Sequence, residues 1–175
     1  KRVSTALPDA TLYGFKRQTD AKATFSDVGE HLRAVFNAGT PIIGICAAGV
    51  LIRCLAPVLT DKTSEPPVLA VADDGSAVVP LLGGHRGANA LAETIAAALG
   101  AHAAITTASE VRFGAAFDDP PPGWRLANPE HVKPFAAALL AGAGVTVEGE
   151  APWLPDLQSG EDLHILISAQ AAAGD

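Results

Sequence analysis

"VLAVADDGSAVVPLLGGHRGANALAETIAAALG", Val68 to Gly100, decides how this chain is built. Two apolar runs flank Asp74-Gly75, a pair that favours a tight hairpin because both residues tolerate positive φ. The second run stops at the chain's only Gly-Gly pair. Beyond His85 and Arg86 the period changes, with Leu91, Ile95 and Leu99 recurring every fourth residue until Gly100. The pattern predicts strand, turn, strand and then helix. A hairpin inside a strand–helix alternation makes the sheet mixed rather than purely parallel.

The same alternation extends in both directions. Residues 1–7 read as a helix tail and Thr11 to Phe15 as a strand. Ser26 or Asp27 caps a helix, with Glu30 at capping-box distance from Asp27. Its apolar stripe is Val28, Leu32, Val35 and Phe36, and Gly39 ends it. Pro41 to Cys46, "PIIGIC", reads as a buried strand, and the apolar helix after it stops at Pro57. Downstream, "AAITT" (Ala103 to Thr107) reads as a strand. Asn128-Pro129 opens a helix that ends at Gly142. Val145 to Glu148 and Leu163 to Ser168 read as further strands. The expected class is α/β: a three-layer α/β/α sandwich around a mainly parallel mixed sheet with one hairpin, plus a small α/β C-terminal segment. Composition changes at "DDPPPG". This places a first domain at 1–117, a Pro-rich linker at 118–123 and a smaller segment at 124–175.

The 175 residues are 49% hydrophobic and 18% charged, the composition of a core-forming globular chain. A net charge of −7 with no basic stripe excludes a generic nucleic-acid or acidic-membrane binder. Cys46 and Cys54 belong to no CxxC or Cys/His cluster, so they read as small buried hydrophobes in a reducing compartment, with no metal site. No signal-peptide core follows Lys1-Arg2-Val3, and the longest uncharged apolar stretch, Pro41 to Ile52, is too short to span a bilayer. A cytoplasmic protein is expected. The absence of Met and the mid-helix start suggest a fragment.

Three turns follow predicted strands: Cys46 to Gly49, Gly83 to Asn89, and Thr106 to Glu110. Ligands of open α/β sheets sit where strands end, and glycine turns at helix N-termini favour anions. Arg86 adds a planar fork suited to carboxylate. "GGHRGAN" is neither a P-loop nor GxGxxG. Glu110 nonetheless sits where a ribose-binding acid would lie, which leaves a dinucleotide or S-adenosylmethionine site open. The plain readings stand beside these. Gly83 and Gly84 form a tight turn, and His85 is a solvated loop histidine. Arg53 either snorkels beside Pro57 or points into the crevice. Asp61 and Lys62 are a solvated pair, and Thr106 and Thr107 suit a strand end. Trp124 and Trp153 cover a core edge, and His31 and His131 lie on helix surfaces.

Taken together, "GICAAGVLIRCLAP", "DKTSEPPVLAVADDGSAVVPLLGGHRGANALAETIAAALG" and "AAITTASE" resemble, in order and spacing, the N-terminal domain of the CbiG family of cobalamin biosynthesis. The resemblance covers roughly Pro41 to Glu110. "PPPGWRLANPEHVKPFAAALLAGAGVTVEGE" resembles the start of that family's central segment. The family's hydrolases open the ring A δ-lactone of cobalt-precorrin-5A and release acetaldehyde. The resemblance therefore implies a precorrin or cobalt-precorrin partner. It makes His85 and Glu110 the catalytic candidates, with Arg53, Lys62, Gly83, Gly84, Arg86, Asn89, Thr106 and Thr107 binding substrate.

"ICAAG" and "DDPPPGWRLANPE" are most similar to the CbiG-like region fused ahead of precorrin-3B carbon-17 methyltransferase (CobJ). On that reading this region needs no cofactor, and an attached methyltransferase domain uses S-adenosylmethionine. The region itself is then either a lactone hydrolase or a non-catalytic tetrapyrrole-binding module.

Overall fold

A computed structural model describes residues 2–15, 21, 23–62 and 64–169, with the His85 side chain outside that description. The chain divides into two compact units, Lys1–Ile105 and Thr106–Asp175. The Pro-rich stretch 118–123 lies inside the second of these.

The first unit opens with α1 (Arg2–Ala6), followed by two short parallel strands, β1 (Tyr13–Phe15) and β2 (Ala23–Phe25). Next comes α2 (Val28–Asn37), whose N-cap carboxylate, Asp27, accepts a hydrogen bond from the Glu30 amide at 2.7 Å. The capping-box spacing is thus realised through the Asp27 side chain. β3 (Ile42–Ile45), α3 (Ala48–Leu55), β4 (Val68–Val71), β5 (Ala77–Leu82), α4 (Ala88–Leu99) and β6 (His102–Ala103) complete the unit.

The principal sheet has the order β3-β4-β5-β6. β3 runs parallel to β4, β4 antiparallel to β5, and β5 parallel to β6. β4 is buried on both faces, and successive residues serve different layers. Val68 and Ala70 join Leu32 and Phe36 of α2 and Leu51 and Leu55 of α3. Leu69 and Val71 join Ala88, Ala92, Ile95 and Ala96 of α4, with Val3 of α1 beside them. The expected three-layer arrangement with one hairpin is therefore present in the first unit. A register shift between Val68 and Leu69 leaves Leu81 as the extra residue of a β-bulge, and Leu81 and Leu82 pack on the same layer. Arginines tie neighbouring helices within each layer: Arg33 Nη1 donates to the Cys54 carbonyl at 3.3 Å, and Arg2 Nη1 to the Leu99 carbonyl at 3.3 Å.

At the hairpin tip, Asp74 Oδ1 accepts from the Ser76 amide at 2.9 Å and from Ser76 Oγ at 2.7 Å. These bonds hold the Asp74 carboxyl below its ordinary range. The folded chain therefore releases this proton at lower pH than the unfolded chain does. The associated stability is present above the ordinary carboxylate range and is lost as pH falls through the lowered value. Asp74→Asn keeps the turn geometry but cannot titrate, so its melting temperature should be less acid-sensitive than the wild type's when both are followed from neutral into acid.

The second unit holds α5 (Ala108–Phe113), α6 (Pro129–Leu140) and two parallel strands, β7 (Val145–Glu148) and β8 (Leu163–Leu166). Its core is Ala115, Phe117, Leu139 and Val145. Asn128 occupies the N-cap of α6 as expected, but its side chain makes no capping hydrogen bond. The strand expected over Ala103 to Thr107 is not formed. β6 ends at Ala103, the Ile105 amide turns back to the Ala103 carbonyl at 3.0 Å, and Thr107 becomes the N-cap of α5. His31 is not a surface residue on an empty helix face. Its ring stacks on Phe25 (centroids 5.0 Å apart) and meets Tyr13 at 4.4 Å.

Candidate functional site

The turn that joins β5 to α4 is built on glycine. Gly83 has φ +74° and Gly87 φ +85°, both left-handed, and a single 3-10 turn, Gly84–Arg86, lies between them. A Cβ on Gly83 would stand 2.6 Å from the Pro67 nitrogen and 2.7 Å from the Pro66 carbonyl carbon and oxygen. The turn is thus pressed onto the buried Glu65-Pro66-Pro67 segment that leads into β4. Two of its amides are already engaged: those of Arg86 and Ala88 both donate to the Gly83 carbonyl, at 2.9 and 3.1 Å. They point into the turn, so these two donors are not presented to a ligand as the glycine pattern suggested.

Strand direction decides which candidates share an end of the sheet. Val68 pairs with Leu82, and Val71 with Val78. The C-terminal end of β5 therefore lies beside the N-terminal ends of β4 and β3. The turn after β3, Cys46 to Gly49, lies at the opposite end, with roughly 10 Å of strand between the two turns. The expectation that these turns line one crevice is not met, because the hairpin reverses the chain between them.

Arg53 lies not in the turn after β3 but in the last turn of α3. It snorkels neither beside Pro57 nor toward the Gly83 turn. Its Nη1 runs back along α3 to the Gly49 carbonyl at 3.0 Å, over a glycine whose added Cβ would stand 2.7 Å from that nitrogen. Lys62 lies in the loop entering β4, at the Gly83 end, and is exposed, as is Asp61. Gly84 and Arg86 are also exposed, whereas Gly83 and Asn89 are buried. Lys62, Gly83, Gly84, His85, Arg86 and Asn89 thus share one end of the first unit. Thr106, Thr107 and Glu110 belong to the second unit, where Thr106 is exposed and Glu110 lies in the first turn of α5.

One residue at the Gly83 end escaped the sequence reading. Glu65, in a stretch that reads as a polar loop, is 8% exposed. The available signal was the Pro-Pro pair between it and a fully apolar strand.

Among the described residues no three His, Cys, Asp or Glu side chains are grouped to hold a metal ion. Cys46 and Cys54 are free thiols. Partial burial, and secondarily the neighbouring Cys54, raises Cys46 above the ordinary thiol range. It is a poor nucleophile rather than a reactive one. No helix among the described residues is long and apolar enough to cross a membrane.

Residues 30–110 match the family model described as Cobalamin synthesis G N-terminal. The match takes in α2 as well as the stretch from Pro41 onward. A cobalt-precorrin-5A hydrolase of Priestia megaterium is 36% identical over 133 residues, which is 70% of this chain and 34% of that protein. One from Salmonella typhimurium is 37% identical over 120 residues, 67% of this chain and 34% of that protein. The chain thus spans about a third of the length of these curated relatives. A crystal structure described as a putative cobalamin biosynthesis protein G homolog from Sulfolobus solfataricus aligns over 87% of this chain and 48% of that one, with 18% identity and a TM-score of 0.41. The two curated relatives are hydrolases, and neither lends support to an attached precorrin-3B methyltransferase. Over residues 30–110, then, the chain is similar to the cobalamin synthesis G N-terminal family.

Proposed function

We propose that this chain is the N-terminal part of a cobalamin-biosynthetic lactone hydrolase acting on a cobalt-precorrin of the 5A type. The observation that carries this reading is the pair of hydrolase relatives, 36% and 37% identical across about two thirds of the chain, together with the family match. The substrate is a ring bearing many carboxylates, and exposed Arg86 and Lys62 flank the Gly83 end with the positive charge such a ring needs. In the reaction a water oxygen bonds to the lactone carbonyl carbon and the ring C–O bond breaks. The departing oxygen is freed as a hydroxyl; when it gives up its proton its C=O bond forms as the carbon–carbon bond to the macrocycle breaks, the electron pair stays with the macrocycle, which takes up a proton, and the two-carbon fragment leaves as acetaldehyde. His85 is the acid or base for that proton traffic, because imidazole titrates near neutrality. Glu110 is the alternative.

A second reading has the region hold a precorrin for an attached S-adenosylmethionine-dependent methyltransferase. It rests on the wording of "DDPPPGWRLANPE" and has no relative behind it. The two readings separate on incubation with cobalt-precorrin-5A: hydrolysis yields acetaldehyde and a carrier yields none. His85→Ala is expected to lower kcat about a hundredfold or more. Acetaldehyde release at the wild-type rate from that variant would remove His85 from the reaction.

A further inference from the structure

We propose that the apolar cavity beside the Gly83 turn is a specificity pocket, which receives the methyl group of the two-carbon fragment while the lactone is opened. The inference rests on the hydrolase reading and adds to it a subsite for the one carbon of that fragment that bears no oxygen.

Between α3 and the sheet lies a cavity of about 120 Å³. Its walls are aliphatic: Ile52 and Leu55 of α3, Leu59, Val68 of β4, and Leu81 and Leu82 of β5 all line it. Ile52 is 53% exposed, which places the mouth at the protein surface. Leu82 is one Cα step, about 3.8 Å, from Gly83, and Lys62 follows Leu59 by three residues. The cavity therefore belongs to the end of the first unit that carries His85, Arg86 and Lys62.

One wall depends on a departure from strand geometry. Neighbouring residues of a regular strand point to opposite faces. The register shift opposite Val68 and Leu69 makes Leu81 an extra residue, so Leu81 and Leu82 pack on the same layer and both line the cavity. Bulges beside ligand sites re-aim side chains in this way. The bulge brings a second leucine to the wall, and the space between the walls stays unfilled. Unfilled space deprives its lining of contacts. A larger side chain at one of these positions would close it. The core gains nothing from such a space, whereas a ligand group that enters it does.

Size and polarity select the occupant. A cavity of about 150 Å³ admits one benzene molecule. A cavity of 120 Å³ thus has room for a substituent of a few carbon atoms and none for the macrocycle. Carboxylate arms are excluded as well, because a charge buried among aliphatic walls has no partner. They stay outside, where Lys62 and Arg86 are exposed. The methyl of the two-carbon fragment has the size and the polarity the cavity accepts. Seating it between α3 and β5 holds the lactone at the Gly83 turn in one orientation.

The test follows acetaldehyde release from cobalt-precorrin-5A, with thermal unfolding alongside, for the full wild-type chain and for Ile52→Phe, Leu81→Phe and Leu81→Ala. The phenylalanine variants fill the cavity from α3 and from β5. Each should lose about 10–200-fold in kcat/KM, the range over which an apolar pocket discriminates one methyl-sized group, while unfolding within a few degrees of the wild type. Leu81→Ala enlarges the cavity. It should unfold at a lower temperature yet keep more of the rate than Leu81→Phe does. Wild-type turnover in both filled variants overturns the pocket while leaving the hydrolase reading intact, and is the result that a face covered by other protein would give. Rate losses that follow the losses in melting temperature, with Leu81→Ala the slowest, make the cavity a packing feature and also overturn the pocket. A wild-type chain that releases no acetaldehyde overturns the hydrolase reading and the pocket together.

Discussion

Gly83→Ala is expected to destabilise the first unit by about 4 kcal/mol, a loss of 15 °C or more in melting temperature. Two costs add. The backbone at φ +74° is left-handed, which charges an alanine about 1 kcal/mol. The new methyl would also meet backbone rather than side chain, 2.6 Å from the Pro67 nitrogen and 2.7 Å from the Pro66 carbonyl carbon and oxygen. Proline backbone has little room to yield. Its two neighbours in the turn supply internal controls. Gly87 has φ +85° and open space around it, so its alanine variant should lose only about 1 kcal/mol. Gly84 has neither constraint and should tolerate alanine within about 0.5 kcal/mol. Thermal or urea unfolding of the three variants would rank them. Equal effects at Gly83 and Gly87 would mean that the close approach to Pro66 and Pro67 does not matter.

Leu69→Ala should cost about 3–5 kcal/mol. Leu69 is fully buried in β4 and packs with Val78, Ala88, Ala92 and Ile95 between the sheet and α4. Alanines already fill two of the facing helix positions, so no larger side chain there can swing into the void. A midpoint shift in urea with an unchanged slope is the expected signature. Truncation at Ile45, which is 51% exposed at the end of β3, should cost well under about 1 kcal/mol and marks the contrast.

What could be read from the chain alone was what local chemistry dictates. Asp27 and Glu30 announced α2, Asp74-Gly75 the hairpin, and Gly39, Gly100 and Gly142 the helix ends. Ala103 to Thr107 misled because Ile and Thr favour strands by propensity, while a single backbone bond from Ile105 to Ala103 ends the pairing. β2 is only three residues long and too short to show a period. The scatter of the candidate site has a different cause. The hairpin was legible, yet its corollary, that turns following strands of opposite sense face opposite ways, separates the Cys46 to Gly49 turn from the Gly83 turn. Glu65 stayed hidden because the burial of a single charged loop residue is set by contacts distant in sequence, here Gly83, and leaves no periodic trace.

The reversal at Asp74-Gly75 has a consequence for how this domain can change. Loops at its two poles answer to different strands, so the β3–α3 connection is free to be lengthened, recharged or fused to new chain without disturbing the pole where the prolines meet Gly83. Divergence among relatives, and grafting in the laboratory, should therefore proceed at the two poles as separate events.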